Sequence, residues 1–325
     1  MVKAIRVHET GGPEVMRLED VEAGTPGAGE ALIRHTAIGL NYIDTYFRSG
    51  LYPAPAGLPF TPGNEGAGEV LAVGEGVTHI AAGDRVAYAG PLGSYAEERV
   101  IAADRLVKIP EGVDDRTAAA MMLKGMTARY LLRETYRITN ETVLLFHAAA
   151  GGVGLIAGQW AASLGATVIG TVGSEEKARL AKENGYTHVI NYRTENFVER
   201  VREITGGKLC DVVYDSVGKD TYPGSLDCLR PLGTWVSFGQ SSGPITDFNL
   251  AMLSAKGSLF ATRPTLFTYV AAREALEETA NDLFDVVARG VVKIAVNQEY
   301  ALSDAVQAHK DLEGRKTTGG TVLIP

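Results

Sequence analysis

The chain has 325 residues, 45% of them hydrophobic, a length that supports two domains of ordinary size with their own cores. A net charge of −8 offers no basic patch to nucleic acid or to an anionic membrane surface, and no apolar run is long enough to span a bilayer. Only two cysteines occur, Cys210 and Cys228; with no C-x-x-C pair they exclude a cysteine-based zinc site, argue against a disulfide framework, and fit the cytoplasm as small core residues.

The N-terminal stretch MVKAIRVHETGG alternates like a strand and lacks the pattern of a signal peptide. Short alternating segments rich in Gly and Pro continue to Pro110, and strands are predicted over Lys3–His8, Glu30–Ala37, Gly66–Val73, Arg85–Tyr88 and Ala96–Val100. The proline-rich GLYPAPAGLPFTPGNEG between them reads as a loop. The whole is an all-β pattern, a small irregular barrel.

Beyond Pro110 the character changes. A helix is predicted over Asp115–Thr135, then a short apolar strand Thr142–Phe146. Helix Gly152–Leu164 carries Val153, Ile156, Ala157, Trp160, Ala161 and Leu164 on one face and stops at Gly165. Strand Thr167–Val172 follows, and Ser174 caps a helix that closes at Gly185. Next come strand His188–Tyr192, helix Glu195–Ile204, strand Asp211–Val217, helix Tyr222–Leu229 and strands Thr234–Gly239 and Ser258–Thr262. Strands alternating with helices predict an α/β fold, a doubly wound parallel sheet. The tail from Phe267 holds a long helix, a short strand near Lys293–Val296, a helix Ser303–Glu313 and a last strand Thr321–Ile324; it is expected to return to the N-terminal domain.

The segment FHAAAGGVGLIAGQWAASLG sits where a dinucleotide loop belongs, after a strand and opening a helix. Gly151 lets the backbone approach a pyrophosphate and Gly154 lets the helix pack on the strand, while the N–H groups of the first turn face the phosphates. The first glycine of G-x-G-x-x-G is Ala149, tolerable if its φ stays negative. A glycine-rich turn without ligand is the bland alternative. The next strand ends TVGSEEK, so Gly173 stands where NAD sites place an acid for the ribose hydroxyls. Glu175 and Glu176 come later and suit a helix N-terminus, whereas Ser174 and Lys177 can meet a 2′-phosphate. NADPH is therefore favoured over NADH, although Lys177 alone could be a solvated helix residue.

The segments GLNYIDTYFRSGLYP, LKGMTARYLL, FHAAAGGVGLIAGQWA, TVGSEEKA, VINYR, VVYDSVGKDTY, VSFGQSSGP, ATRP and LEGRKTTGGTVLIP together resemble the zeta-crystallin-like quinone oxidoreductase branch of the medium-chain dehydrogenase/reductase superfamily, across essentially the whole chain. The resemblance implies a homodimer and two domains: a GroES-like β-barrel domain over 1–124, completed by 266–325, and a Rossmann NADPH-binding domain over 125–265. It extends the cofactor contacts to Lys124, Thr127, Gly152 and Val153, and assigns Ser174, Lys177, Tyr192 and Arg315 to the 2′-phosphate. Asn41, Ser216, Phe238, Gly239, Gln240, Arg263 and Thr265 complete the set, most of them around the nicotinamide.

One departure from the zinc dehydrogenases of that superfamily is informative. Their signature G-H-E-x-x-G-x(5)-G-x-x-V is matched by GNEGAGEVLAVGEGV at every fixed position except the histidine, which is Asn64. A cysteine ligand falls at Asn41, and the four-cysteine lobe is absent. An amide oxygen is a poor zinc ligand and Glu65 alone cannot hold the ion. Alcohol oxidation needs that metal; a quinone carbonyl accepts hydride without it. The expectation is hydride transfer from NADPH to a small-molecule quinone in a cleft between the domains, with no metal. Asn41 would donate to the carboxamide or to the quinone oxygen, with Tyr46, then Tyr52, as the proton source, or else both rings simply pack. The rival reaction is reduction of an enone or alkenal, and a non-enzymatic crystallin or RNA-binding role is the third reading, the last disfavoured by the charge.

Overall fold

The structure, a computed structural model describing residues 1–325, runs from strand to helix in this order. It begins with β1 (Val2–Val7), β2 (Met16–Val21), β3 (Glu30–Leu40), α1 (Tyr42–Ser49), β4 (Glu65–Val73), β5 (Arg85–Ala89), β6 (Glu98–Ala102), β7 (Val107–Lys108) and α2 (Asp115–Tyr130). Then come β8 (Val143–Phe146), α3 (Gly152–Ser163), β9 (Thr167–Val172), α4 (Glu175–Glu183), β10 (His188–Asn191), α5 (Phe197–Ile204), β11 (Cys210–Asp215), α6 (Gly224–Asp227), β12 (Leu229–Ser237), α7 (Ala251–Ala255) and β13 (Phe260–Thr262). The chain ends with α8 (Leu266–Tyr269), α9 (Arg273–Ala288), β14 (Val296–Ala301), α10 (Ala305–Glu313) and β15 (Gly320–Ile324). No helix is long and apolar enough to cross a membrane.

Contacts divide the chain into two units. The first comprises Met1–Met126, Val270–Phe284 and Ile294–Pro325, the second Thr127–Tyr269 and Asp285–Lys293. The sequence division gave all of 266–325 to the first unit and 125–265 to the second; Leu266–Tyr269 and Asp285–Lys293 group with the second instead, and Gly125 and Met126 with the first.

In the first unit seven strands follow the order β14-β15-β3-β4-β5-β7, with β6 also on β3. The long β3 alternates buried and solvated residues before turning wholly inward at Ile38–Leu40, which brings the chain under the sheet just ahead of Asn41. Leu40 and Ile38 pack with Ile5, Phe60, Tyr95 and Leu323.

In the second unit six strands pair parallel in the order β10-β9-β8-β11-β12-β13. Strands β8 and β11 lie side by side although three helices and two strands separate them in sequence, which makes their carboxyl ends the point where chain direction across the sheet reverses and ligands bind. The apolar run VLLF of β8 suits a strand covered on both faces. Leu145, Ile169, Ile190, Val213 and Trp235 fill one face of the sheet, and truncating a residue such as Leu145 to Ala would cost about 2–5 kcal/mol.

Several predicted elements shift. Helix α1 and the β1–β2 hairpin are absent from the sequence reading. The helix expected over Tyr222–Leu229 shrinks to Gly224–Asp227 because β12 already begins at Leu229. The strand near Lys293–Val296 lies over Val296–Ala301. Past Tyr130 the helix expected to run on to Thr135 widens into a π-turn, where the Leu131 carbonyl accepts from both Tyr136 N (3.2 Å) and the Tyr214 hydroxyl (2.8 Å).

Candidate active site

The connection from β8 to α3 is a tight turn running into a helix N-terminus. The left-handed residue of its tight turn is Ala148, at φ 57°, one position before the alanine singled out by the motif. That conformation costs an L-residue roughly 1–2 kcal/mol. Two backbone bonds hold it, Gly151 N to Ala148 O (2.9 Å) and Ala149 N to Thr171 O (3.0 Å). Gly151 caps the helix in an extended conformation, so the N–H groups of Gly152 and Val153 begin the first turn, where an anion is stabilised. A Cβ on Gly154 would stand 2.5 Å from Ala148 O and 2.6 Å from Ala149 O, so only glycine lets the loop lie against the helix. The buried Tyr186 hydroxyl donates to Gly154 O at 2.7 Å and fastens the same turn. Sequence alone gave no reason to single out Tyr186.

At the end of β9, Ser174 caps α4 by accepting from Lys177 N (3.2 Å). Glu175 is turned toward Asn191, whose Nδ2 donates to it at 3.0 Å. Tyr192 reaches back to Gly173: a Cβ added there would lie 2.5 Å from the Tyr192 oxygen. The position where NAD sites carry an acid is thus closed on one side by a phenol. Gly173, Ser174 and Tyr192 thus meet at the carboxyl end of β9, with Lys177 in the first turn of α4.

The loops after β11 and β12 are joined through the backbone. Asp215 O accepts from Phe238 N (2.8 Å) and Gly239 N (3.3 Å), and Ser216 O accepts from Ser241 N (3.1 Å). Arg263 Nη1 donates to Ser237 O (2.9 Å) and Gly239 O (2.7 Å). Ser237, Gly239 and Arg263, with Gln240, Trp235 and Phe248, line a cavity of about 360 Å³. Phe238 leans on Phe146 with ring centroids 5.6 Å apart. Thr127 is buried in α2, and Thr265 is exposed just ahead of α8.

In the first unit Asn41 opens α1 and meets two buried carboxyl groups. Its Nδ2 donates to Glu65 Oε2 at 2.7 Å, its N–H to Asp44 Oδ2 at 2.9 Å. Glu65 also accepts from Lys124 Nζ (2.9 Å) and Leu123 N (2.7 Å). Asp44 accepts from Asn64 Nδ2 (2.8 Å) and from the Tyr95 hydroxyl (3.0 Å). Burial pushes the Asp44 carboxyl up to about 6, against the pull of these donors and of the Lys124 charge. Behind Tyr95 stands His309, and behind it Arg48, whose guanidinium makes two 2.8 Å bonds to Glu313. Arg48 can only donate, so His309 Nδ1 accepts and its Nε2 carries the proton. Burial, then the Arg48 charge, drop the His309 pKa to about 3, which keeps the ring neutral. Tyr46 is buried edge-on against Tyr52 (5.2 Å) and Tyr42 (5.7 Å). Arg315 lies exposed in the same unit just after α10, at φ 58°. Asp44, Tyr95 and His309 were not legible, although Asn41 and Asp44 sit at the two ends of an N-capping pattern that could have revealed α1.

The comparisons with known proteins agree with this layout. Residues 27–111 match the alcohol dehydrogenase GroES-like domain and residues 152–298 the zinc-binding dehydrogenase domain. A quinone oxidoreductase of Pseudomonas aeruginosa is 56% identical over 326 aligned residues, covering 100% of both chains. The chain belongs to the quinone oxidoreductase branch of the medium-chain dehydrogenase/reductase superfamily. A 2-haloacrylate reductase of Burkholderia is 47% identical over 100% of this chain and 99% of its own. The solved structure of Escherichia coli quinone oxidoreductase complexed with NADPH superposes with a TM-score of 0.98 at 52% identity, covering 99% of this chain and all of that one. As in this branch, the fold is α/β: a GroES-like domain and a Rossmann-type parallel sheet.

Zinc does not fit the residues of this family member. Of the signature ligands, Asn41 and Asn64 spend their amide N–H groups on Glu65 and Asp44, and Glu65 is already matched by the Lys124 ammonium. No three His, Cys, Asp or Glu side chains converge on one point. The charge of the buried Glu65 carboxylate is balanced by the buried Lys124 ammonium.

Proposed function

We propose that this protein is an NADPH-dependent quinone reductase that works without a metal. The observation that carries the reading is Glu65 held by Lys124 and Asn41, a dehydrogenase frame whose charge is balanced by a side chain. Bound NADPH supplies a hydride from nicotinamide C4. The chain's part is to bind, to orient and to deliver a proton. Gly151, Gly152, Val153 and Gly154 take the pyrophosphate, with Ala149 shaping the turn. Gly173, Ser174, Lys177 and Tyr192 take the 2′-phosphate; the resemblance assigns Arg315 to the same group. Thr127, Ser216, Phe238, Gly239, Gln240, Arg263 and Thr265 hold the nicotinamide half; Asn41 and Lys124 are further cofactor contacts that the resemblance implies. Because Asn41 Nδ2 already serves Glu65, its part is to keep that carboxylate in place, and Oδ1 is the atom it can offer a carboxamide. Tyr46 is the proton source, with Tyr52 at 5.2 Å as the second candidate.

The test is acceptor choice. Absorbance of NADPH, followed with benzoquinone, naphthoquinone, an enal and 2-chloroacrylate, should fall fastest with the quinones, and ethanol with NADP⁺ should give almost no rate. Turnover of the alkenes without the quinones would instead place the protein with the haloacrylate reductase. A homodimer is part of the proposal, supported by the edge strand β13 with Phe260 60% exposed and by Leu250, 73% exposed, before it; a monomer by light scattering would remove it. So is the cytoplasm, supported by two buried free thiols, Cys210 and Cys228.

A further inference from the structure

Four buried polar side chains that no step above uses form one hydrogen-bond chain under the carboxyl ends of the parallel strands. Asp215, at the end of β11, accepts from Ser225 Oγ at 2.8 Å. Ser225, in α6, lies 3.0 Å from His147 Nε2, and His147 Nδ1 lies 2.9 Å from Thr171 Oγ1 in β9. All four are 2% exposed or less. The direction of every proton is forced. Ser225 has a single hydroxyl proton, and its neighbours Asp215 Oδ2 (2.8 Å) and Thr221 O (3.3 Å) both accept it, so His147 donates Nε2–H to Ser225. Nδ1 then holds a lone pair and accepts from Thr171. Burial lowers the His147 pKa, partly offset by the Asp215 charge, in keeping with a neutral ring.

The chain reaches each strand that delivers a cofactor segment. His147 follows β8 and begins the glycine loop; Thr171 stands two residues before Gly173. Asp215 Oδ1 accepts from Val217 N (2.9 Å) and Gly218 N (3.0 Å), which shapes the loop carrying Ser216. Its Oδ2 lies 3.4 Å from Trp235 Nε1 of β12, the strand that leads to Phe238–Gln240. Apolar side chains of equal volume would stabilise such a core at least as well. What they lack is direction: a chain of donors and acceptors fixes the angle of each strand end against the next.

We propose that Thr171, His147, Ser225 and Asp215 are a positioning relay that sets the spacing of the four cofactor-bearing strand ends and so supports dinucleotide affinity without touching the dinucleotide. This rests on the reading that the second unit binds NADPH. The sharpest variants are Thr171→Val, which keeps the shape and removes the hydroxyl, Thr171→Ser, which restores it, and Ser225→Ala, which breaks the chain from a different element. NADPH and NADH are titrated by fluorescence well below each variant's melting temperature. Thr171→Val and Ser225→Ala should each weaken both cofactors by the same factor, about tenfold, while Thr171→Ser stays within about twofold of the parent. Lower melting temperatures with both affinities unchanged in Thr171→Val and Ser225→Ala would make the chain structural only and overturn the proposal. So would a loss confined to NADPH, which would trace to Gly173 next door. Failure of the parent protein to bind NADPH would instead remove the cofactor reading beneath it.

Discussion

Replacing Gly173 by alanine tests the 2′-phosphate site through its shape. The new methyl would meet the Tyr192 oxygen at 2.5 Å and Cζ at 2.9 Å, both inside contact distance. The phenol has to retreat by nearly an ångström. Tyr192 is 42% exposed, so it can swing outward and the fold should lose at most about 1 kcal/mol. What is lost is one charge-assisted hydrogen bond to the phosphate, worth about 1.5–3 kcal/mol. NADPH should therefore bind roughly 10- to 150-fold more weakly, because ~1.4 kcal/mol is tenfold. NADH, which carries no 2′-phosphate, should be unchanged. Tyr192→Phe should reproduce the loss, and the double variant should be no worse than either single one, since both remove the same bond. Fluorescence titration of both cofactors against the three variants is the assay. An unchanged NADPH affinity, or equal losses for NADH, would show that the phenol does not serve the phosphate. Gly173→Asp adds charge repulsion to the same displacement, so it should abolish NADPH preference while giving NADH less than a carboxylate at an open position would.

Other expectations follow from the same geometry. Lys177→Ala and Arg315→Ala should each weaken NADPH by roughly ten- to a hundredfold and leave NADH nearly alone; an equal effect on both would mark these side chains as supports of the fold. Lys124→Met strands the Glu65 carboxylate in the interior and should cost about 3–5 kcal/mol in denaturant unfolding, and a loss under about 1 kcal/mol would mean that Glu65 finds another partner. Asp44 is held near 6 against an ordinary 3.8, so the fold favours its neutral form. Its contribution to stability is present below pH 4 and fades as pH rises through 6. The stability gap between the parent and Asp44→Asn should shrink across that window by an amount on the order of 3 kcal/mol and stay flat above it. A gap independent of pH would place the Asp44 carboxyl in its ordinary range.

The sequence carried the second unit well because its signals are local. An apolar strand, a glycine loop and a capped helix sit next to one another, and Gly154 packs the loop on its helix while Ser174 caps α4, as their motif requires. It carried the first unit less well. The residues of α1, Tyr42–Ser49, are aromatic, β-branched and polar by turns, and they follow a strand without a break, so neither period stands out. With α1 unseen, Asp44 had no reason to face Asn64. The partners that define the polar site are far apart in the chain: Glu65 with Lys124, Tyr95 with His309, His147 with Ser225. No spacing rule reaches that far, and only the closed sheets bring them together. Ala149 keeps the negative φ that its methyl needs, and the left-handed residue of the turn is its neighbour Ala148. The motif counts glycines, whereas the backbone is set by which carbonyl Gly151 N can reach.

The central claim is hydride delivery to a quinone from NADPH without a metal. It is tested most directly by exhaustive dialysis against a strong chelator, elemental analysis for zinc, and the initial rate with naphthoquinone and NADPH before and after. The account predicts zinc far below one equivalent and an unchanged rate, with NADPH much preferred to NADH. One equivalent of zinc whose removal abolishes quinone reduction, and whose return restores it, would contradict the account.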